Sequence, residues 1–159
     1  MNYQEIIRDF AIRTRQNLEF IEMHQGRGES VFEVTQLVNS MLGLLVFPQQ
    51  RYYSRIPTTP LAELVSQGWP DIKPTQRVID SEFFRDCRTL RDLVRYLRNA
   101  ISHFNLEFIP DHTDGSVRGL RLWNIDTKNP QHPITWETEL SITDLRLISL
   151  RFIELLEKG

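Results

Sequence analysis

The chain has 159 residues, 40% of them hydrophobic and 25% charged, and 19 Lys+Arg against 21 Asp+Glu leave a formal charge of −2. That length and balance fit one globular domain with a sizeable core; they exclude a disordered chain and a protein that binds polyanions through bulk positive charge. The lone cysteine, Cys87, excludes an internal disulfide and a thiolate zinc knuckle and points to a reducing compartment.

Asn2–His24 carries apolar residues at Ile6, Ile7, Phe10, Leu18, Ile21 and Met23, with recurring spacings of three and four that predict an amphipathic helix. No secretory signal is expected there, because Asn2, Gln4, Glu5, Arg8 and Asp9 break up any apolar run. Gly26-Arg27-Gly28 ends this helix. Ser30, with Glu33 three residues on, has the pattern of a capping box. The helix behind it, apolar from Val31 to Phe47 around most of its circumference, should be the central buried one, and Pro48 should stop it. Its longest apolar run, Met41–Phe47, is far short of the ~20 residues of a membrane span. A soluble cytoplasmic protein without membrane contact is expected.

Gln49–Ile79 is punctuated by Pro57, Pro60, Pro70 and Pro74, with room for one short helix around Leu61–Gln67. Such a stretch is either a functional loop or a lid on the core, and packing is the favoured role. A further long helix is predicted from about Ser81 to Phe104, with Leu90, Leu93, Val94, Leu97, Ala100, Ile101 and Phe104 on one buried stripe. The period then switches to two. Asn105–Ile109 and Val117–Trp123 flank a turn containing Asp114-Gly115, as in a β-hairpin. Pro133–Leu140 is a further strand, with Ile134, Trp136 and Thr138 alternating against Thr135, Glu137 and Glu139. Ser141 and Asp144 mark the cap of a last helix bearing Leu145, Ile148, Phe152 and Leu155, widened by Ile153 and Leu156. The expected fold is mainly α: a helical bundle with a small β-hairpin or three-stranded insertion, about residues 105–140, before the C-terminal helix of a single domain.

Five arginines and two aspartates fall between Arg85 and Arg98, so this segment is locally basic in a nearly neutral chain. On a helix Asn99 and His103 are one turn apart on one face, which Arg95 and Arg88 continue. Arg98 is displaced toward Val94 and Ile101, where an unpaired buried charge would be expensive. Two readings follow. A charged helix face is most often simply solvated. Alternatively, Arg98 binds a phosphate bidentately, Asn99 orients a substrate group and His103 moves a proton, which suffices for RNA transesterification without metal.

Arg98-Asn99-Ala100-Ile101-Ser102-His103 resembles the R-x4–6-H signature of the HEPN superfamily in its shortest form, with a polar residue after the arginine. The block Glu33–Pro48, taken with Leu97-Arg98-Asn99-Ala100, is similar to a small plasmid- and prophage-associated branch, over most of residues 10–105. The resemblance implies a HEPN-like helical bundle that dimerises, so that two motifs face each other across a composite cleft. It further implies an endoribonuclease that needs no metal or other cofactor, acting on RNA as a toxin or in phage defence, with an antitoxin protein as a further partner. Other members implied by it bind nucleotide, RNA or protein without catalysis. On this resemblance Arg98 is the phosphate-binding arginine, Asn99 the polar position and His103 the catalytic histidine; the β insertion has no assigned role.

Candidate substrate contacts are Arg95 and Arg88, with Arg55 and Tyr53 of the Arg51–Arg55 segment. His24 reads as a helix-end residue and His112 and His132 as loop residues; no two histidines share a helix face at ligand spacing, so no metal site is expected. Gly26-Arg27-Gly28 lacks the P-loop lysine and a preceding strand and reads as a turn. Cys87, beside Arg88, is read as a quiet helix cysteine rather than one with a lowered pKa. Trp69, Trp123 and Trp136 read as packing residues, and Asn39 would need a hydrogen-bond partner if buried.

Overall fold

Apolar residues at helical spacing build long helices at both ends of the chain, α1 (Tyr3–Gly26) and α6 (Ile142–Lys158), which pack against each other. The computed structural model describes the backbone of residues 3–113 and 116–158, and their side chains apart from those of 3–4 and 46–52. The proposed turn residues Asp114-Gly115 and the side chains of Val46, Phe47, Arg51 and Tyr52 therefore lie outside the described residues. Between α1 and α6 come α2 (Glu33–Tyr52), a 3-10 turn (Tyr53–Arg55), α3 (Leu61–Ser66), α4 (Gln76–Ile79), α5 (Leu90–Ser102) and strands β1 (Leu106–Pro110), β2 (Val117–Ile125) and β3 (Ile134–Ser141). The strands form one antiparallel sheet in the order β1-β2-β3. The chain is thus mainly α, with a small three-stranded sheet before its last helix.

Helix α2 packs against α1, α5 and α6, burying Leu37, Met41, Leu44 and Leu45, and so occupies the central position expected of it. Its ends differ from expectation. Ser30 does not cap it: the helix starts later, Phe32 is the N-cap, and Gln36 N–H donates to Phe32 O at 3.0 Å. Pro48 does not stop it either; a proline deletes one backbone donor, and the helix continues past that gap to Tyr52. Asn39 is exposed, which removes its need for a buried partner.

Helix α5 is shorter than its sequence pattern. Residues 81–88 are not helical, because their backbone is engaged elsewhere: Arg85 N–H donates to Thr135 O of β3 at 2.8 Å, and Arg88 O accepts from Leu61 N–H at 2.9 Å. The helix begins instead at a capping box, in which Asp92 N–H donates to Thr89 Oγ1 and Thr89 N–H donates to Asp92 Oδ2, each at 3.2 Å. Thr89→Ala is expected to lower stability by about 1 kcal/mol, read as a fall in the urea midpoint at unchanged slope. Ser30→Ala should leave that midpoint in place.

Leu106, Leu120, Leu122, Trp136 and Leu140 line the inner face of the sheet and join the helices in one core. Asn124, buried on β2, donates from Nδ2 to Tyr96 O at 3.0 Å and ties the sheet to the middle of α5. The proline-rich segment packs rather than hangs free. Ile56, Leu64 and Val78 are buried, and Pro74 bridges to Thr138 along the outer edge of β3. Thr75 N–H also donates to Glu137 O at 2.9 Å, and Thr138 Oγ1 to Lys73 O at 2.7 Å. This strap overturns the simple alternation expected of β3: Thr135 and Glu137 are buried, and only Glu139 of the three polar residues is exposed.

Candidate active site

Helix α5 buries Leu90, Leu93, Val94, Tyr96, Leu97, Ala100 and Ile101, leaving Arg91, Arg95, Arg98 and Asn99 to face outward. Its three arginines do three different things. Arg91 donates from Nε and Nη2 to Ile56 O, at 2.9 and 2.6 Å, and from Nη2 to Ser54 O at 3.0 Å, while its guanidinium lies 5.9 Å from the centre of the Tyr53 ring. It clamps the proline-rich segment to the start of the helix. Arg95 pairs with Asp92 at 3.1 Å and lies over the Tyr96 ring at 5.1 Å.

Arg98 is half-buried, and its Nη1 donates to Asn99 Oδ1 at 2.6 Å. Its Nε is buried without a hydrogen-bond partner, and among the described residues the guanidinium has no carboxylate to pair with. A half-buried cation of this kind lacks an anion, and the planar fork of arginine suits a phosphate. At about 100° per residue Arg98 and His103 would diverge by about 140° around one helix. The bond to Asn99 turns the guanidinium back toward the face that Asn99 shares with His103.

His103 is the C-cap of α5; its N–H donates to Asn99 O at 3.1 Å, and its imidazole is exposed without a partner among the described residues. Phe104, placed by its spacing on the buried stripe, instead lies beyond the end of the helix with φ +56° and 77% exposure. Phe104 N–H donates to Ile101 O at 3.1 Å and Asn105 N–H to Ala100 O at 2.8 Å, the paired bonds of a Schellman closure, with phenylalanine where glycine is usual. The left-handed conformation costs a residue with a Cβ about 1–2 kcal/mol.

The family model described as HEPN pEK499 p136 matches residues 1–159. The chain belongs to the HEPN pEK499 p136 family. Comparisons with curated proteins and with solved structures return no significant match. At superfamily level, HEPN membership points to a nuclease or nucleotide-binding role. Among the described residues of this HEPN chain, no helix is long and apolar enough to cross a membrane.

Arg95, Arg98 and Asn99 lie on the second half of α5 and His103 is its C-cap, with a hydrogen bond joining Arg98 to Asn99. Arg88 does not continue that line: it precedes the N-cap and donates from Nε to Asp86 Oδ2 at 2.8 Å. Tyr53 and Arg55 lie near Arg91, about 18 Å of helix rise from His103. His24 takes the helix-end role expected of it, with Nδ1 2.7 Å from Glu29 Oε2 and its ring against Phe20. His112 and His132 lie in loops and are exposed. Trp136 is buried in the core, whereas Trp123 is half-exposed with the Arg121 guanidinium 5.7 Å from its ring centre.

Cys87 precedes α5 rather than lying on it. Burial, followed by the nearby Asp92 and Asp86 carboxylates, pushes its thiol up to about 12, against the opposing pull of Arg95. The thiolate is then a trace species at neutral pH. Iodoacetamide should modify Cys87 far more slowly in the native chain than in the urea-unfolded one; equal rates would contradict the burial. The Arg91 clamp and the exposure of Phe104 were missed from sequence, since both depend on where neighbouring segments turn.

Proposed function

We propose that this HEPN chain is an endoribonuclease that cleaves RNA without metal, as a homodimer with a composite Arg98/His103 site, in a toxin–antitoxin or phage-defence setting. In this reading α1, α2, α5 and α6 form the HEPN bundle of one domain, residues 1–159, and the sheet is an insertion. One observation carries the reading: among the described residues the half-buried Arg98 guanidinium has no carboxylate partner and donates to the neutral Asn99 Oδ1, on the same helix end as the exposed imidazole of His103.

His103 takes the proton of a 2′-hydroxyl, whose oxygen attacks the adjacent phosphorus. Arg98 neutralises the charge that grows on the phosphoryl oxygens, and Asn99 holds Arg98 and a substrate oxygen in register. The 5′-oxygen leaves with a proton supplied by the His103 of the second copy, leaving a 2′,3′-cyclic phosphate and a 5′-hydroxyl. Arg95 contacts a neighbouring phosphate, while Arg88, Arg55 and Tyr53 at the other end of α5 reach RNA that runs along the helix.

The test is incubation of the purified chain with single-stranded RNA in excess EDTA. Cleavage with cyclic phosphate ends is expected, and a DNA oligonucleotide of the same sequence should survive. RNA left intact by a folded protein, with no effect of its expression on cell growth, would sink the reading. A second reading has its own support: Arg98 is already hydrogen-bonded within the chain to Asn99, as in a non-catalytic partner that binds nucleotide, RNA or protein. Binding without cleavage would select it. A neutralising antitoxin protein, if it acts on this face, should protect His103 from solvent in the complex.

A further inference from the structure

The connection from α5 to β1 is tight. Asn105 N–H closes the helix on Ala100 O, and Asn105 O accepts from Trp123 N–H of β2 at 3.1 Å. Phe104 is held between these anchors, so its left-handed backbone is over-determined by the fold. The connection requires that conformation but not a phenylalanine. Glycine adopts it freely and fills the corresponding positions elsewhere in the chain, at Gly28 with φ +77° and Gly68 with φ +84°. Phe104 combines two local penalties, a strained backbone and a large apolar ring in water. Packing does not explain the ring, since Phe104 is 77% exposed and is absent from the core.

The position of the ring suggests its use. Phe104 directly follows His103, and the Asn99–Arg98 pair lies one turn back along α5. A group bound at Arg98 through its phosphate would carry its flanking base past the helix end, where an exposed aromatic face is available. We propose that Phe104 is a stacking platform for the nucleobase next to the phosphate held by Arg98, a substrate-positioning residue for single-stranded RNA. Stacking on an aromatic side chain tolerates any base, because every base has a π-face, so Phe104 would position RNA without reading its sequence. The Schellman closure keeps the backbone under the ring fixed, so little flexibility is lost when a base docks. This proposal rests on the ribonuclease reading for its substrate.

The experiment uses the full chain and a short single-stranded RNA with 2′-O-methyl riboses, which cannot undergo attack by the 2′-oxygen, carrying one 2-aminopurine. Wild-type protein should quench the 2-aminopurine fluorescence on binding. Phe104→Ala and Phe104→Gly should lose the quenching and bind roughly five- to hundredfold more weakly, while Phe104→Tyr and Phe104→Trp keep both. Phe104→Gly should melt at or above the wild-type temperature, since glycine relieves the left-handed strain, so its loss of binding cannot be unfolding. Unchanged affinity in the Ala and Gly variants overturns the proposal, as does absence of quenching by the wild-type chain. Conversion of a dimer to monomers by Phe104→Ala also overturns it, assigning the ring to a contact between copies. Cleavage of unmodified RNA is scored separately. Quenching that depends on Phe104 in a chain that never cleaves leaves the platform standing and removes the ribonuclease reading, and cleavage indifferent to Phe104 does the reverse.

Discussion

Arg98→Ala and His103→Ala are each expected to reduce RNA cleavage to background, a loss of roughly 10²–10⁴-fold, without unfolding the chain. In the proposed mechanism the two losses have different origins. His103→Ala removes the group that moves the proton, and its exposed side chain contributes nothing to the core. Arg98→Ala removes the charge that meets the phosphoryl oxygens. It also removes a buried Nε that has no partner, so no orphaned polar group is left behind apart from Asn99 Oδ1, half-buried beside it. Stability should therefore hold or rise slightly, and Arg98→Met, which keeps the aliphatic length, should be at least as stable as wild type. Arg98→Lys keeps the charge but loses the planar fork, and should recover only part of the activity. The check is a single-turnover cleavage assay beside a urea melt of each variant. Arg98→Ala or His103→Ala protein that is folded and fully active would remove both residues from the mechanism.

Glu137→Gln is expected to have the converse effect, a large loss of stability with cleavage preserved below the melting temperature. The Glu137 side chain is 3% exposed and its carboxylate gathers three segments. Arg121 donates to Oε2 from Nε and Nη2 at 3.0 and 2.7 Å, Arg77 Nη2 donates to the same oxygen at 2.5 Å, and Thr75 Oγ1 donates to Oε1 at 2.7 Å. Removing the charge strands two guanidinium groups, although both still reach water, so the loss should be about 2–3 kcal/mol rather than that of a fully buried pair. That corresponds to a fall of roughly 5–10 °C in Tm for a chain of this size.

The effect carries a pH signature. Burial pushes the Glu137 carboxyl up, but hydrogen bonds from Thr75, Arg121 and Arg77 outweigh it and hold the group below the usual glutamate value of 4.5. A carboxyl lowered by folding stabilises fully above its unfolded value and loses that contribution as pH falls through the folded one. The gap in Tm between wild type and Glu137→Gln should thus be constant near neutrality and shrink in acid below about 4.5. A gap that widened in acid would contradict the network.

The helices α1, α2 and α6, the hairpin and the third strand were legible because hydrophobic period and capping residues act over a few positions. Ser141 and Asp144 show this: Asp144 N–H donates to Ser141 Oγ at 3.1 Å, as their spacing predicts. The R-x4-H motif was legible for the same reason, since Arg98, Asn99 and His103 lie within one helix end and need no distant segment to bring them together. The family match over the whole chain agrees with the resemblance drawn from that motif and from the second helix.

The misread positions share a different cause. Phe104 continues the helical spacing perfectly, but spacing does not reveal that the helix has already closed. Ser81–Arg88 has a helical pattern too, yet its backbone bonds to β3 and to the start of α3. Glu137 alternates like a solvent-facing strand residue and is buried only because Arg77, 60 positions earlier, arrives with the strap. Local pattern was thus enough for the long helices, the three strands and the placing of Arg98, Asn99 and His103 at one helix end, but not for the 3-10 turn Tyr53–Arg55 or for α4 in the proline-rich stretch. Which polar groups are buried, where α5 begins and ends, and which aromatic ring is left in water were decided by segments distant in sequence, because a buried hydrogen-bonding group takes its partner from whatever packs beside it.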